Sequence, residues 1–367
     1  MEELPEMLNY YVSEKEDWAL EFYEDALTGG TTNSAEVLEE SWKRKKEQNW
    51  DFVIAVTDLP LFHNKKTIVA EVFRKENAAH FSLPALGFAP RYKRMRESIL
   101  QLMNEIYYGT TESDRQKAEK RLQSKGDRYS ELKNKDAEEL IGKRIFERIS
   151  PLEREVPEDN RSTDVRFTAK SRIGGLVRLL SGMVYANRPW AFFPAFTKIL
   201  IIAFTTGSYA IIFPTVWQMS TYYSATRGIL VSILTILALV AWVIVSNGLW
   251  ERKRASNGSF LRKLYNSTTF LTLLVTVIMY YFILFIMFSI TVLVLVPPGQ
   301  VEYNISTSPN LGHYLLVSWI GTSIATIIGA IGAAFEDKEV ILNSTYGHRQ
   351  QRRYRMIQQQ REDEETY

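Results

Sequence analysis

The densest set of reactive side chains in the chain is Thr57, Asp58, His63, Glu71 and His80. Two imidazoles and two carboxylates are donor types that a divalent metal accepts. Asp58 and Glu71 would also suit acid–base hydrolysis at a membrane surface. Each chemistry has a plainer rival. The spacing matches no ligand signature, and a Ser/His/Asp arrangement lacks the strand–turn–helix elbow that presents a nucleophile. Asp58, between an apolar strand and Leu59-Pro60, is the kind of residue whose carboxylate holds a turn. His63 beside Asn64-Lys65-Lys66 reads as an exposed turn residue, His80 as an edge-strand side chain and Glu71 as solvent-facing. The expectation is a polar groove without catalytic residue, metal or cofactor.

Composition narrows the chemistry further. The chain has 367 residues and no cysteine, which removes disulfides, thiolate metal sites and a cysteine nucleophile. No GxGxxG follows a strand in a βαβ unit, so the dinucleotide fingerprint is missing. A net charge of +2, with 46% apolar and 23% charged residues, argues against a disordered chain and against nucleic acid as partner. The average conceals a split. Residues 1–170 hold 28 basic and 33 acidic residues, whereas residues 171–367 hold 16 and 9.

The elements that must position these side chains lie in the acidic half. Trp18–Phe22 alternates like a half-buried strand, and Asn33 with Glu36 suggests a capping box for a helix to about Gln48. Phe52–Thr57 is a continuous β-branched run, the mark of a central strand. Thr67–Phe73 and Ala78–Leu83 around a charged turn form a hairpin pattern. Helical patterns follow at Arg91–Tyr108, Glu112–Leu122 and Tyr129–Ile149, the first opening on a basic cluster of Arg91, Lys93, Arg94 and Arg96. This predicts a cytosolic α/β domain over 1–155, a small mixed sheet with helices. The charged, proline-containing stretch after it reads as a linker, placed at 156–171.

The other half belongs to lipid. Ile199–Trp217, Ile229–Trp250, Thr269–Val296 and Tyr314–Phe335 each approach the roughly 20 apolar residues that cross a bilayer. They predict an all-α bundle of four transmembrane helices over 191–337. Basic residues cluster before the first stretch, between the second and third, and in the tail 338–367, which places both termini in the cytoplasm of a cell-membrane protein. Membrane-surface contacts are expected from Arg172, Arg178, Arg188, Arg252, Lys253, Arg254, Arg349, Arg352 and Arg353. Residues 172–190 read as an amphipathic helix in the headgroup layer, with Ile173, Leu176, Val177, Leu180 and Val184 on one face. Gly321, Gly329 and Gly332 would let helices approach closely, within the chain or in a homo-oligomer.

Two resemblances attach to these motifs. Val53-Ile-Ala-Val-Thr57-Asp58-Leu-Pro-Leu, Ile68-Val-Ala-Glu71 and His80-Phe-Ser82-Leu resemble the strand segment of archaemetzincin-type zinc proteases. That family places HExxH on the following helix. Here the corresponding residues are Asn104-Glu105-Ile106-Tyr107-Tyr108, so Glu105 stands where the general base would be and both histidine ligands are missing. The head motif TDLPL…SLPALG and the tail Ala334-Phe-Glu336-Asp337-Lys-Glu339 resemble an uncharacterised family of four-span membrane proteins of Gram-positive bacteria, which implies the architecture and no activity. The expected function is a membrane protein whose cytosolic head binds or scaffolds a protein or peptide. The alternatives are an oligomeric channel or transporter, and a membrane-tethered hydrolase using Asp58 and Glu71.

Overall fold

The computed structural model describes residues 2–24, 34–88, 90–125, 136–157, 163–251 and 259–332. They form two compact units that meet in sequence between Ala186 and Asn187. The head therefore runs some thirty residues beyond the expected 155.

The head opens with α1 (Leu4–Tyr11) and α2 (Ser34–Glu47). Residues 14–24 carry no regular structure, so the strand expected at Trp18–Phe22 does not form; Phe22 is left exposed. The cap residue Asn33 and the Gly29-Gly30 pair lie outside the described residues. Four strands follow, β1 (Val53–Thr57), β2 (Leu61–His63), β3 (Lys66–Phe73) and β4 (Ala78–Ser82), then α3 (Arg91–Tyr108), α4 (Glu112–Ser124) and the single turn α5 (Ile145–Ile149). The helix predicted from Tyr129 is thus reduced to that turn among the described residues. The segment taken as a linker supplies two further strands, β5 (Leu152–Glu155) and β6 (Val165–Ala169), before α6 (Arg172–Ala186).

The strand order is β1-β4-β3-β6-β5, with β2 paired to β3. Only β1 and β4 run parallel, so the sheet is mixed as expected. The apolar run at Phe52–Thr57 forms an edge strand of partial burial, while β3 and β4 hold the centre and β4 is buried at every position. A continuous apolar run marks burial on both faces but does not say which neighbour completes the sheet.

The β2–β3 turn is a two-residue loop, with Asn64 at φ 48° and Lys65 at φ 66°. Both occupy the left-handed region that a type I′ hairpin needs, and Lys65 has no side-chain reason to accept it. Lys65→Gly should stabilise the head by roughly 0.5–1 kcal/mol, read as a higher urea midpoint for its resistance to protease.

The second unit contains α7 (Phe193–Ile211), α8 (Pro214–Tyr222), α9 (Ala225–Asn247), α10 (Ser259–Leu295), α11 (Pro298–Ile305) and α12 (Leu311–Gly332). α9, α10 and α12 are long and apolar enough to cross a membrane, and the count reaches four if α6 and α7 are taken as one bent span. The expected first span, Ile199–Trp217, is interrupted: α7 ends at Ile211 and Pro214 starts a separate helix. At 37 residues α10 is about 55 Å long, well beyond a hydrocarbon layer of roughly 30 Å.

These helices are apolar on both sides. Val243, Val277, Leu284 and Phe288 fill the interior, while Leu234, Val245, Ile278 and Phe282 are exposed on the outside. A helix without a polar face belongs in lipid. The chain is therefore an α/β head joined to a set of membrane-length helices.

Candidate functional site

Three of the five candidate residues separate. Thr57 is buried and its Oγ1 accepts the Leu59 N–H at 3.1 Å, so the hydroxyl holds the turn after β1. Asp58 is half-buried in that same turn. His63 stands exposed at the end of β2, its Nε2 3.1 Å from Asn64 Nδ2.

Glu71 and His80 come together. They are register partners on β3 and β4, and Glu71 also faces Arg166 on β6, which in turn faces Glu155 on β5. Cross-strand neighbours share a sheet face, so the four side chains form a polar row across four strands, with Arg166 between two carboxylates. Arg166 Nε donates to Glu71 Oε1 at 2.5 Å, and His80 Nε2 lies 3.2 Å from Glu71 Oε2. The His80 ring stacks on Phe73, with centroids 5.6 Å apart. Both Glu71 and His80 are wholly buried, which corrects the expectation that one faced solvent and the other a sheet edge. Burial alone pushes the Glu71 carboxyl up, but the hydrogen bond and charge of His80, with Arg166, outweigh it and hold the group at about 2. These five residues are thus not one groove: two turn residues, one exposed imidazole and one sealed ion row.

Arg166 is the partner that reasoning from sequence missed, because its segment was assigned to a linker. The alternation Val165-Arg166-Phe167-Thr168-Ala169 was the available signal.

Glu105, the residue matching a general base, is buried too. Its carboxylate accepts from Arg154 at 2.9 and 3.0 Å and from Gln101 at 3.0 Å, with Arg115 at 3.5 Å. Every oxygen is committed to neighbours that tie α3 to β5 and α4. Among the described residues no group of three or more histidine, aspartate or glutamate side chains is placed to hold a metal.

A third internal cluster joins α3, α5 and α6. Arg94 pairs with Glu147 at 2.7 Å and donates to Leu86 O at 3.0 Å. Arg178 donates from Nη1 to Leu86 O and from Nε to Ser150 Oγ, both at 3.2 Å, and lies 3.7 Å from Glu147. Both guanidinium groups lie over the Phe146 ring, their carbons 5.2 and 5.1 Å from its centroid. Arg178 was expected at the membrane surface; it is fully buried instead, because α6 turns Gly174, Gly175, Arg178, Leu179 and Gly182 onto the head. Arg172 and Arg188 are exposed. Arg252, Lys253, Arg254, Arg349, Arg352 and Arg353 lie outside the described residues.

In the second unit, Gly321 and Gly329 make contacts within the chain. A Cβ on Gly329 would meet Tyr280 Oη at 2.8 Å and Ile199 at 3.1 Å; one on Gly321 would meet Ile211 at 3.1 Å. Gly332 is the last residue of α12. The helix hydroxyls mostly bond back one turn, as with Thr276 to Thr272 O, Ser318 to Tyr314 O and Thr326 to Thr322 O. A side-chain network links α9, α10 and α12: Trp319 donates to Ser232 Oγ at 2.6 Å, and Tyr281 Oη lies 2.9 Å from Ser232 and 2.8 Å from Ser323.

The fold and these clusters define a class: a chain with an ion-paired α/β head and three to four membrane-length helices. No protein-family model, curated protein or solved structure matches it.

Proposed function

We propose that the protein is a multi-pass membrane protein, crossing four times by α7, α9, α10 and α12 with both termini in the cytoplasm, whose head is a non-catalytic module that binds or scaffolds a protein or peptide partner. The observation that carries this reading is the row at Glu71: the carboxylate and imidazole best suited to chemistry are sealed from solvent, 3.2 Å apart, with the carboxylate held by Arg166. A hydrolase using Asp58 and Glu71 would need the second of these groups to reach a substrate. A channel finds little support either, since the hydroxyls of the apolar helices are mostly satisfied by their own backbone and the stretches 229–250, 269–296 and 314–332 hold no Asp, Glu, Lys, Arg or His. Gly321 and Gly329 are occupied by contacts within one chain, so self-association would use another surface.

The absence of cysteine makes single-cysteine labelling free of background. In intact cells, an impermeant maleimide should label Gln300→Cys at once and Glu39→Cys only after permeabilisation; the reverse pattern overturns the topology. Protein purified without chelator should carry no stoichiometric zinc. One equivalent of zinc, lost in His80→Ala, would overturn the non-catalytic reading.

A further inference from the structure

One side of the head has charge inside and apolar groups outside. Arg94 and Arg178 are enclosed, with the partly buried Glu147 beside them, where α3, α5, α6 and the turn at Pro84–Leu86 meet. The residues those same elements turn outward are large and apolar: Ile145 is 79% exposed, Ile173 76% and Ile149 65%, with Phe88, Tyr92 and Val177 also exposed. A water-facing surface would reverse that arrangement.

The three segments adjoin. Ser150 at the end of α5 donates to Gly174 O on α6 at 2.8 Å, which ties the two helices together next to the exposed Ile149 and Ile173. The Phe88 ring packs edge-on against Tyr185 of α6 at 5.4 Å, and the Arg91 guanidinium lies over the same ring at 5.3 Å. Residues 84–96, 143–150 and 170–186 together hold ten basic residues and one acidic residue, Glu147, although residues 1–170 as a whole are net acidic. Arg148, Lys170 and Arg172 are exposed among the apolar groups.

We infer that this face, comprising Phe88, Tyr92 at the start of α3, α5 and the outer side of α6, docks on an anionic lipid surface. Apolar side chains of this size ringed by arginine and lysine suit the headgroup boundary. The chain supplies the geometry: α6 ends at Ala186, and the next residue begins the unit of membrane-length helices. The lipid-facing side of α6 carries Ile173 and Val177, while its glycine side and Arg178 grip the head. The inference rests on the membrane reading above and extends it to α5 and the loop before α3, which no spacing in the sequence linked to α6.

The test uses the full-length protein in phosphatidylcholine vesicles containing phosphatidylglycerol, with an environment-sensitive fluorophore on Ile149→Cys, Ile173→Cys or, as control, the exposed Glu39→Cys of α2. Brominated lipid should remove about half or more of the emission at 149 and 173 and leave 39 unchanged; aqueous iodide should do the opposite. Equal iodide quenching at all three sites, in protein that remains membrane-embedded, overturns the docked face and leaves the membrane reading standing. Protection at 149 and 173 that depends on protein concentration and ignores brominated lipid also overturns it, and assigns the face to a second copy.

Discussion

Arg166→Leu should cost the head about 3–5 kcal/mol, because it removes the one permanent cation from a carboxylate that solvent cannot reach. The loss should appear as a lower urea midpoint for protease resistance of the head in detergent, conditions that leave apolar helices folded. Glu71→Gln should cost less: the amide keeps the shape, and Arg166, partly exposed and facing Glu155 on its other side, keeps a carboxylate partner and a route to water. Replacing Glu71, His80 and Arg166 together by apolar residues of similar volume should recover most of the loss, since a buried ion pair seldom outperforms good packing. A row that merely stabilises the sheet passes all three comparisons. If Arg166→Leu were silent, the carboxylate would have to be protonated or hydrated, and the ion row would be wrong.

The same row sets an acid limit. The Glu71 carboxyl is held at about 2, below its ordinary 4.5, so its contribution of about 3 kcal/mol is fully present above pH 4.5. That stability is lost as pH falls from 4.5 towards 2, when the unfolded chain binds a proton that the folded one refuses. In Arg166→Leu the interval should narrow, and acid unfolding should become shallower over it.

How much of this was readable beforehand differs by element. α3 matches its predicted limits, Arg91–Tyr108, because amphipathic periodicity and the glycine at its end are local signals. The β3–β4 hairpin was also plain, with Asn77 at φ 49° closing its turn. The apolar stretches announced α9, α10 and α12 through composition alone. What stayed hidden was long-range. β6 reads as a charged loop until Arg166 is placed opposite Glu71, some ninety residues earlier in the chain. Pairing partners, not propensity, decide that β1 lies at the edge and β4 at the centre. Sequence proximity groups the five reactive residues but does not say that only Glu71 and His80 face each other across neighbouring strands.

α6 shows the same limit on a finer scale. Its stripe of Ile173, Leu176, Val177, Leu180 and Val184 reads as the face of a helix in the headgroup layer, and periodicity gives no sign that a second face exists. The side that grips the head is built from glycine and one arginine, residues that hydrophobic patterning does not count. Close approach replaces side-chain burial there. A Cβ at Gly175 would press on Thr67 Cβ at 3.0 Å and Ala169 Cβ at 3.2 Å, and one at Gly182 would fall within contact of Pro84 O, C and Cα.

That geometry yields a prediction whose sign separates two roles for the helix. Gly182→Ala puts a methyl group against backbone on the Pro84–Leu86 turn, which cannot rotate out of the way as a side chain would. The head should lose about 3 kcal/mol or more through forced separation of α6 from that turn. Gly175→Ala should cost less, because its nearest neighbour is the Thr67 hydroxyl at 2.6 Å, a group with rotameric freedom. Were α6 only a surface helix with its glycines in lipid, alanine would instead stabilise it by about 1 kcal/mol through helix propensity. Urea midpoints of the two variants against the parent protein therefore read the packing directly. A fall for Gly182→Ala that exceeds the one for Gly175→Ala places the glycine face on the head, and a rise for both would detach it.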